Sequence, residues 1–259
     1  MLELQNIHKI YQSGTVNETA LFNDFSLTIP DEQFVSVIGS NGSGKTSMLN
    51  IICGSIPLEK GKVLIDGKEV TKQKEFVRYR KIGRVYQNPA FGTSPSMTIL
   101  ENMSMADRKG KSFGLTPGSN RKNIDRYKEL LAPLELGLED KMDVQVGSLS
   151  GGQRQALALI MTTMAPISFL ILDEHTAALD PKTAQRIMEI TNKVVMEKKI
   201  TTIMVTHNLR YALEYGDRLL MFHEGKILLD LEGSKKETAV LDDVLNIFNE
   251  ISIEAGNSL

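Results

Sequence analysis

Residues Gly39, Ser40, Asn41, Gly42, Ser43, Gly44, Lys45 and Thr46 spell a Gly-x-x-x-x-Gly-Lys-Thr phosphate loop. It follows the apolar run 34–38 directly and precedes a helical pattern, the setting in which this motif binds a nucleoside triphosphate. A tight glycine turn aims successive backbone N–H groups inward. The positive end of the next helix adds to them, so a β-phosphate finds a concave nest. Lys45 is placed to reach the β- and γ-phosphates, and Thr46 to ligate magnesium. The competing reading is a Gly/Ser-rich surface turn with a chance lysine, and the flanking strand and helix signals outweigh it.

A second chemical element is the run 169–174, Phe-Leu-Ile-Leu-Asp-Glu, a buried strand that delivers two adjacent carboxylates. Asp173 is suited to the magnesium shell, directly or through water, and Glu174 to polarising an attacking water as general base. The bland alternative for such a pair is capping of the next helix, which the presence of a phosphate loop makes the weaker reading. His207 closes another strand pattern, where an imidazole can touch a γ-phosphate and sense its loss. Gln87 follows the apolar run 82–86 and can offer its amide to the metal or to the water. A lone glutamine in a loop is more often structural.

Elements that would hold these groups can be read from periodicity. Residues 2–7, 21–29 and 34–38 read as strands, and 45–53 as the phosphate-loop helix, stopped by Gly54 and Pro57. Residues 61–65 form a strand entering an Asp66-Gly67 turn, and the core returns at 82–86. The texture then changes. Residues 107–120 are rich in charge, Gly, Ser and Pro, and a helical pattern follows through Ile124, Tyr127, Leu130 and Leu131, so 101–145 reads as a second lobe. A helix opens near Leu149 and ends near Pro166. After the acidic strand, Asp180 caps a helix over 182–199, with a further strand at 201–205. The tail reads as a hairpin around residues 223–225 and an amphipathic helix through Val240, Leu241, Val244, Leu245 and Phe248.

Strands apolar on both faces that alternate with helices predict an α/β fold with a largely parallel sheet. Ligands in such sheets bind beyond the carboxyl ends of the strands, where Gly39, Asp173, Glu174 and His207 all fall. At 259 residues the chain can bury a substantial core in one domain with a smaller lobe. Thirty basic against thirty-two acidic residues give a net charge of −2, which offers no support for a general nucleic-acid surface. The one cysteine, Cys53, cannot form an internal disulfide. With no basic segment leading into a long apolar stretch, the N-terminus predicts no cleaved secretion signal and a cytoplasmic location. The apolar runs are too short to span a bilayer, so any membrane role is expected to be peripheral.

Shortly before the acidic strand lies Leu149-Ser150-Gly151-Gly152-Gln153. With this segment in place, the ordered motif set over residues 1–230 resembles the nucleotide-binding subunit of an ATP-binding cassette transporter of the small bacterial importer type. The resemblance implies a P-loop NTPase fold with a mostly parallel central sheet, an N-terminal antiparallel β subdomain and an inserted α-helical subdomain. The ATP-binding domain would span 1–250, the helical part about 88–165, and a tail 251–259. It also implies that Tyr11 stacks on adenine and that Gln87 lies in the flexible loop near the permease contact. Ser150, Gly151, Gly152 and Gln153 would cap the ATP of the opposite subunit in a head-to-tail dimer. Asp180 would belong to the dimer-contact loop and His207 would be the switch histidine. Lys45, Gln87, Glu174 and His207 are thus the catalytic set, and Thr46, Gln87 and Asp173 the magnesium ligands.

Three departures stand out. His175 occupies the place where the family often has proline, Asn208 that of a frequent aspartate, and residues 155–160 that of an arginine-containing helix, so polar contacts of that arginine are expected to be missing. What the resemblance implies is an ATPase, using ATP and Mg²⁺, at the cytoplasmic face of the membrane. It would power uptake of an amino acid or related small organic solute through separate permease subunits, with an extracytoplasmic solute-binding protein in the same system. The alternatives are an exporter ATPase and a soluble non-transport cassette protein. The latter is disfavoured by the lack of a second phosphate loop or of long heptad repeats.

Overall fold

The computed structural model of the protein describes residues 1–111 and 118–254, with backbone alone over 251–254. The expected tail 251–259 therefore lies outside the described residues beyond 254, as does part of the polar stretch 107–120. In chain order the elements begin with β1 (Leu2–Tyr11), β2 (Thr19–Ile29), β3 (Phe34–Gly39), α1 (Lys45–Cys53), β4 (Lys60–Ile65), β5 (Lys68–Glu69) and α2 (Glu75–Arg78). β6 (Ile82–Val85), α3 (Ile99–Ala106), α4 (Ile124–Leu131), α5 (Gly151–Met164), β7 (Phe169–Asp173) and α6 (Pro181–Lys198) follow. The chain continues through β8 (Thr201–Val205), α7 (Leu209–Glu214), β9 (Arg218–His223), β10 (Lys226–Glu232), α8 (Ser234–Glu237) and α9 (Leu241–Glu254).

These elements divide into two compact units. The first comprises residues 1–82, 168–171 and 198–254, and the second 83–111, 118–167 and 172–197. In the first, β1, β2, β4 and β5 form a four-stranded sheet in the order β2-β1-β4-β5, antiparallel throughout. The predicted first strand extends four residues further, to Tyr11. Asn6, at positive φ, makes a bulge in the register instead of an end. A six-stranded sheet has the order β10-β9-β3-β8-β7-β6, and within it β3 runs parallel to both β8 and β9. Every residue of β3 and β8 is buried, which explains their unbroken apolar runs. The principal core of this unit gathers Leu2, Leu4, Phe22, Val35, Val37, Met48, Leu49, Ile52, Ile203, Leu220 and Phe222 between the sheets and α1.

In the second unit α3, α4 and α5 pack against one another. Thr98 and Glu101 form a reciprocal capping box that starts α3: the Thr98 hydroxyl accepts from the Glu101 N–H at 3.2 Å, and Glu101 Oε2 from the Thr98 N–H at 2.8 Å. Asp107, where α3 ends, accepts from Asn123, Arg126 and the Tyr127 hydroxyl, which ties α3 to the start of α4. The helix expected to open at Leu149 begins instead at Gly151, because Ser150 and Gln153 form a second capping box.

Candidate functional site

In the first unit the phosphate loop is suspended between β3 and α1. Val37 lies beside Val205 in the parallel register, so Gly39 and His207, each two residues further on, leave the sheet at the same carboxyl end. Gly39 has φ +152° and a Cβ there would collide with the Phe222 carbonyl, so only glycine fits. Gly44 caps α1 at φ 107° with no side-chain bond, leaving the first N–H groups of the helix aimed into the loop. Lys45 is buried, and its ammonium donates to the carbonyls of Gly39 at 2.7 Å and Ser40 at 2.8 Å and to the Ser43 hydroxyl at 3.3 Å. The lysine is thereby held over the loop it serves. Thr46 is exposed.

Further residues support this loop without carrying a motif. The Gly225 N–H, at the tip of the β9–β10 hairpin, donates to the Ser43 carbonyl at 2.9 Å, and a Cβ at Gly225 would strike the Leu21 carbonyl. The Tyr11 hydroxyl donates to Ser47 on α1 at 2.9 Å, and Lys9, paired with Glu59 at 2.7 Å, lies 5.4 Å from the Tyr11 ring centre. At the far end of α1 the buried guanidinium of Arg78 donates to the carbonyls of Ile51 at 2.8 Å and Ile52 at 3.0 Å, and also to Thr71 and Gln73. It supplies the cation that a helix C-terminus favours. Asn208 caps α7 by accepting from the Tyr211 N–H at 3.2 Å, so asparagine serves the capping task as an aspartate would.

The second unit holds the other candidates. Asp173 ends β7, and its Oδ2 accepts from Arg84 at 2.6 Å, both side chains largely buried. Glu174 follows at φ 48°, a left-handed conformation unusual for a residue with a side chain and one that clusters at functional sites. His175 is fully buried against Thr191. The Thr191 hydroxyl spends its proton on the Ile187 carbonyl at 2.7 Å, so it accepts from His175 Nε2 at 3.2 Å. Burial takes the His175 pKa down to about 4, and the ring is neutral. Asp180 accepts from the Thr183 N–H at 3.1 Å, and the Thr183 hydrogen bonds hold its carboxyl below the usual range.

The signature segment is engaged in its own capping. The Ser150 hydroxyl accepts from the Gln153 N–H, while Gln153 Nε2 donates to the Leu136 carbonyl at 3.0 Å. A Cβ on Gly152 would collide with the Thr183 side chain. Ser150, Gly152 and Gln153 line a concavity of about 360 Å³ with Lys182, Thr183 and Arg186. Gln87 is exposed, just past β6, and Asn102 braces the loop after it by binding Ser94 through both backbone groups and the carbonyls of Met97 and Thr98. On α5, buried Gln155 donates to the Tyr86 carbonyl at 3.0 Å.

The family model described as ABC transporter matches residues 22–177. The chain belongs to the ABC transporter family. Among its relatives, the Tyrosine transport ATP-binding protein of Clostridioides difficile (strain R20291) is 44% identical, over 96% of this chain and 98% of its own length. The Phosphonates import ATP-binding protein PhnC of Lactobacillus gasseri is 31% identical, over 95% of this chain and 93% of its own. Among solved structures, the dimeric post-hydrolysis state of the ATP-binding cassette MJ0796 bound to ADP and Pi matches with a TM-score of 0.74 at 31% identity, covering 90% of this chain and 98% of that one. This ABC protein is accordingly a nucleotide-binding subunit with the P-loop NTPase fold, an ATPase whose hydrolysis is coupled to transport.

Sequence reasoning passed over Arg84, Arg78, Ser47 and Gly225. One signal for Arg84 was available: it is the charged residue inside the otherwise apolar run 82–86 of this ABC ATPase. Nothing local marks the other three, whose contacts with α1 or the phosphate loop span 26 to 182 residues of sequence.

Proposed function

We propose that this protein is the ATPase of an importer for an amino acid, working with separately encoded permease subunits and an extracytoplasmic solute-binding protein. The observation that carries the solute class is the 44% identity with a tyrosine transport ATP-binding protein, against 28–33% for the phosphonate and spermidine/putrescine import proteins. No helix among the described residues is long and apolar enough to cross a membrane; in this reading the protein attaches at the cytoplasmic face through the permease.

In this reading Tyr11 stacks on the adenine, and the phosphate loop wraps the phosphates while Lys45 trades its loop carbonyls for phosphate oxygens. Ser150 and Gly152 close on the nucleotide of a second copy in a head-to-tail dimer, and Asp180 lies in the dimer-contact loop. Gly152 admits the close approach because it lacks a side chain. Glu174 takes a proton from the attacking water, Gln87 orients that water, and His207 contacts the γ-phosphate.

Magnesium fits the residues present. Asp173 gives Oδ2 to Arg84 and keeps Oδ1 for a hard cation, and the Thr46 hydroxyl is exposed. Such an ion takes one or two protein oxygens and completes its shell with phosphate and water. When bound, the ion neutralises charge developing on the transferred phosphoryl group.

The test is uptake of labelled amino acids, tyrosine first, by cells with and without the gene, alongside a phosphonate and a polyamine. Loss confined to amino-acid uptake is the expected result; loss confined to either control would overturn the solute class. Affinity capture from gently solubilised membranes checks the partners, for which a permease and a solute-binding protein are expected.

A further inference from the structure

Arg84 does more than neutralise Asp173. Its guanidinium, bonded to Oδ2 of that aspartate at 2.6 Å, also sits 4.8 Å from the ring centre of Tyr86, one residue past the end of β6. The Tyr86 ring in turn meets Phe91 edge-on, with centroids 5.8 Å apart. Phe91 belongs to the short 3₁₀ turn Pro89–Phe91, just past Gln87, and is 76% exposed. One continuous series of contacts therefore leads from a buried carboxylate to an aromatic side chain at the surface, across only eight residues of chain from Arg84.

We propose that Arg84 is a positioning residue that transmits divalent-cation loading at Asp173, through the face of Tyr86, to the exposed Phe91. The inference rests on the reading of Asp173 as a magnesium ligand. A dication on Oδ1 draws electron density from the carboxylate and repels the guanidinium on Oδ2, so the ion pair loosens. The planar guanidinium then shifts its hold toward the face of the Tyr86 ring, which also attracts it. A change of tilt at Tyr86 is passed to Phe91, because edge-to-face pairs depend on ring geometry. Such coupling is reciprocal, so whatever packs on Phe91 also alters cation affinity at Asp173.

The chain has no tryptophan, so Phe91→Trp places a single fluorophore at the end of the relay. The full-length protein carrying Phe91→Trp and Glu174→Gln, which stops turnover, is saturated with ATP in EDTA and titrated with Mg²⁺. The expected result is a saturable change in Trp emission. Adding Arg84→Met, or separately Tyr86→Leu, is expected to reduce its amplitude at least fivefold while bound ATP, measured by equilibrium dialysis, stays within twofold. Tyr86→Leu leaves the Arg84 and Asp173 pair intact and decides the matter if Arg84→Met fails to fold by circular dichroism. Absence of a Mg²⁺ response in the parent, or a response of full size in either folded variant, overturns the relay. Asp173→Asn separates the two levels. If it leaves the response unchanged, the metal assignment of Asp173 fails; if it removes the response while Arg84→Met does not, only the relay fails.

Discussion

At the scale of single residues, the groups that do chemistry are distinguished from those that hold them by what each side chain touches. Glu174 sits at positive φ directly after the strand, and the proposed role of general base would require its carboxylate. Glu174→Gln should keep ATP binding and cut turnover by about 10²–10⁴-fold, trapping an ATP-loaded dimer visible by gel filtration. Turnover near that of the parent would show that another group acts as base. Tyr11 is subtler, since in the proposed reading its ring stacks on adenine while its hydroxyl bonds Ser47 on α1. Tyr11→Phe removes the bond to Ser47 and keeps the stacking face, so ATP affinity should fall only about twofold. Tyr11→Ala, by contrast, should weaken ATP by about 1–3 kcal/mol, roughly 5- to 150-fold, in equilibrium dialysis.

At the scale of elements, α1 depends on an end it does not own. Its N-terminus is left open for phosphate, with no side-chain cap, and its C-terminal carbonyls are met by the buried Arg78. Arg78→Leu fits the space apolarly but strands those carbonyls and removes the cation at the negative end of the helix. A loss of about 2–4 kcal/mol in urea unfolding is expected, with weaker ATP binding at temperatures where the protein is still folded. This element also marks the limit of sequence reading. The boundaries 45–53 and 201–205 follow from local pattern alone, because a glycine turn and a buried apolar run leave little choice. The Arg78 cap, the Tyr11–Ser47 bond and the Gly225–Ser43 contact join residues far apart in the chain, and no local period encodes them. The site motifs were legible because phosphate chemistry constrains residue types tightly. Their supports can be met by many polar side chains, so residue type gives them little away.

At the scale of the whole molecule, buried His175 governs stability on the mildly acid side. Its folded pKa of about 4 lies below the roughly 6.5 of an unfolded histidine, so the unfolded chain takes up the proton first as pH falls. Stability is fully present above that unfolded value, declines as pH drops below it, and stops declining below the folded value. Between pH 8 and pH 5 the loss should be about 2 kcal/mol, read from urea midpoints in Mg²⁺-free buffer. His175→Gln should flatten this part of the profile, whatever it does to stability at pH 8. An equal slope in the variant would place the titrating group elsewhere.

The position of β3 in its sheet has a consequence for how the protein is made. This strand carries the phosphate loop at residues 39–46, yet both of its neighbours, β8 and β9, come from residues 201–223, and the Gly225 N–H that holds Ser43 comes later still. On a ribosome adding about 5–20 residues per second, the loop emerges roughly ten to forty seconds before the strands that complete it. A nascent chain should therefore remain unable to hold nucleotide until nearly all of it has been synthesised, with the unpaired edges of β3 exposed meanwhile to chaperones or to other chains. Stalled ribosome complexes arrested with 200 residues outside the exit tunnel should fail to retain ATP, and those arrested with 240 outside should retain it.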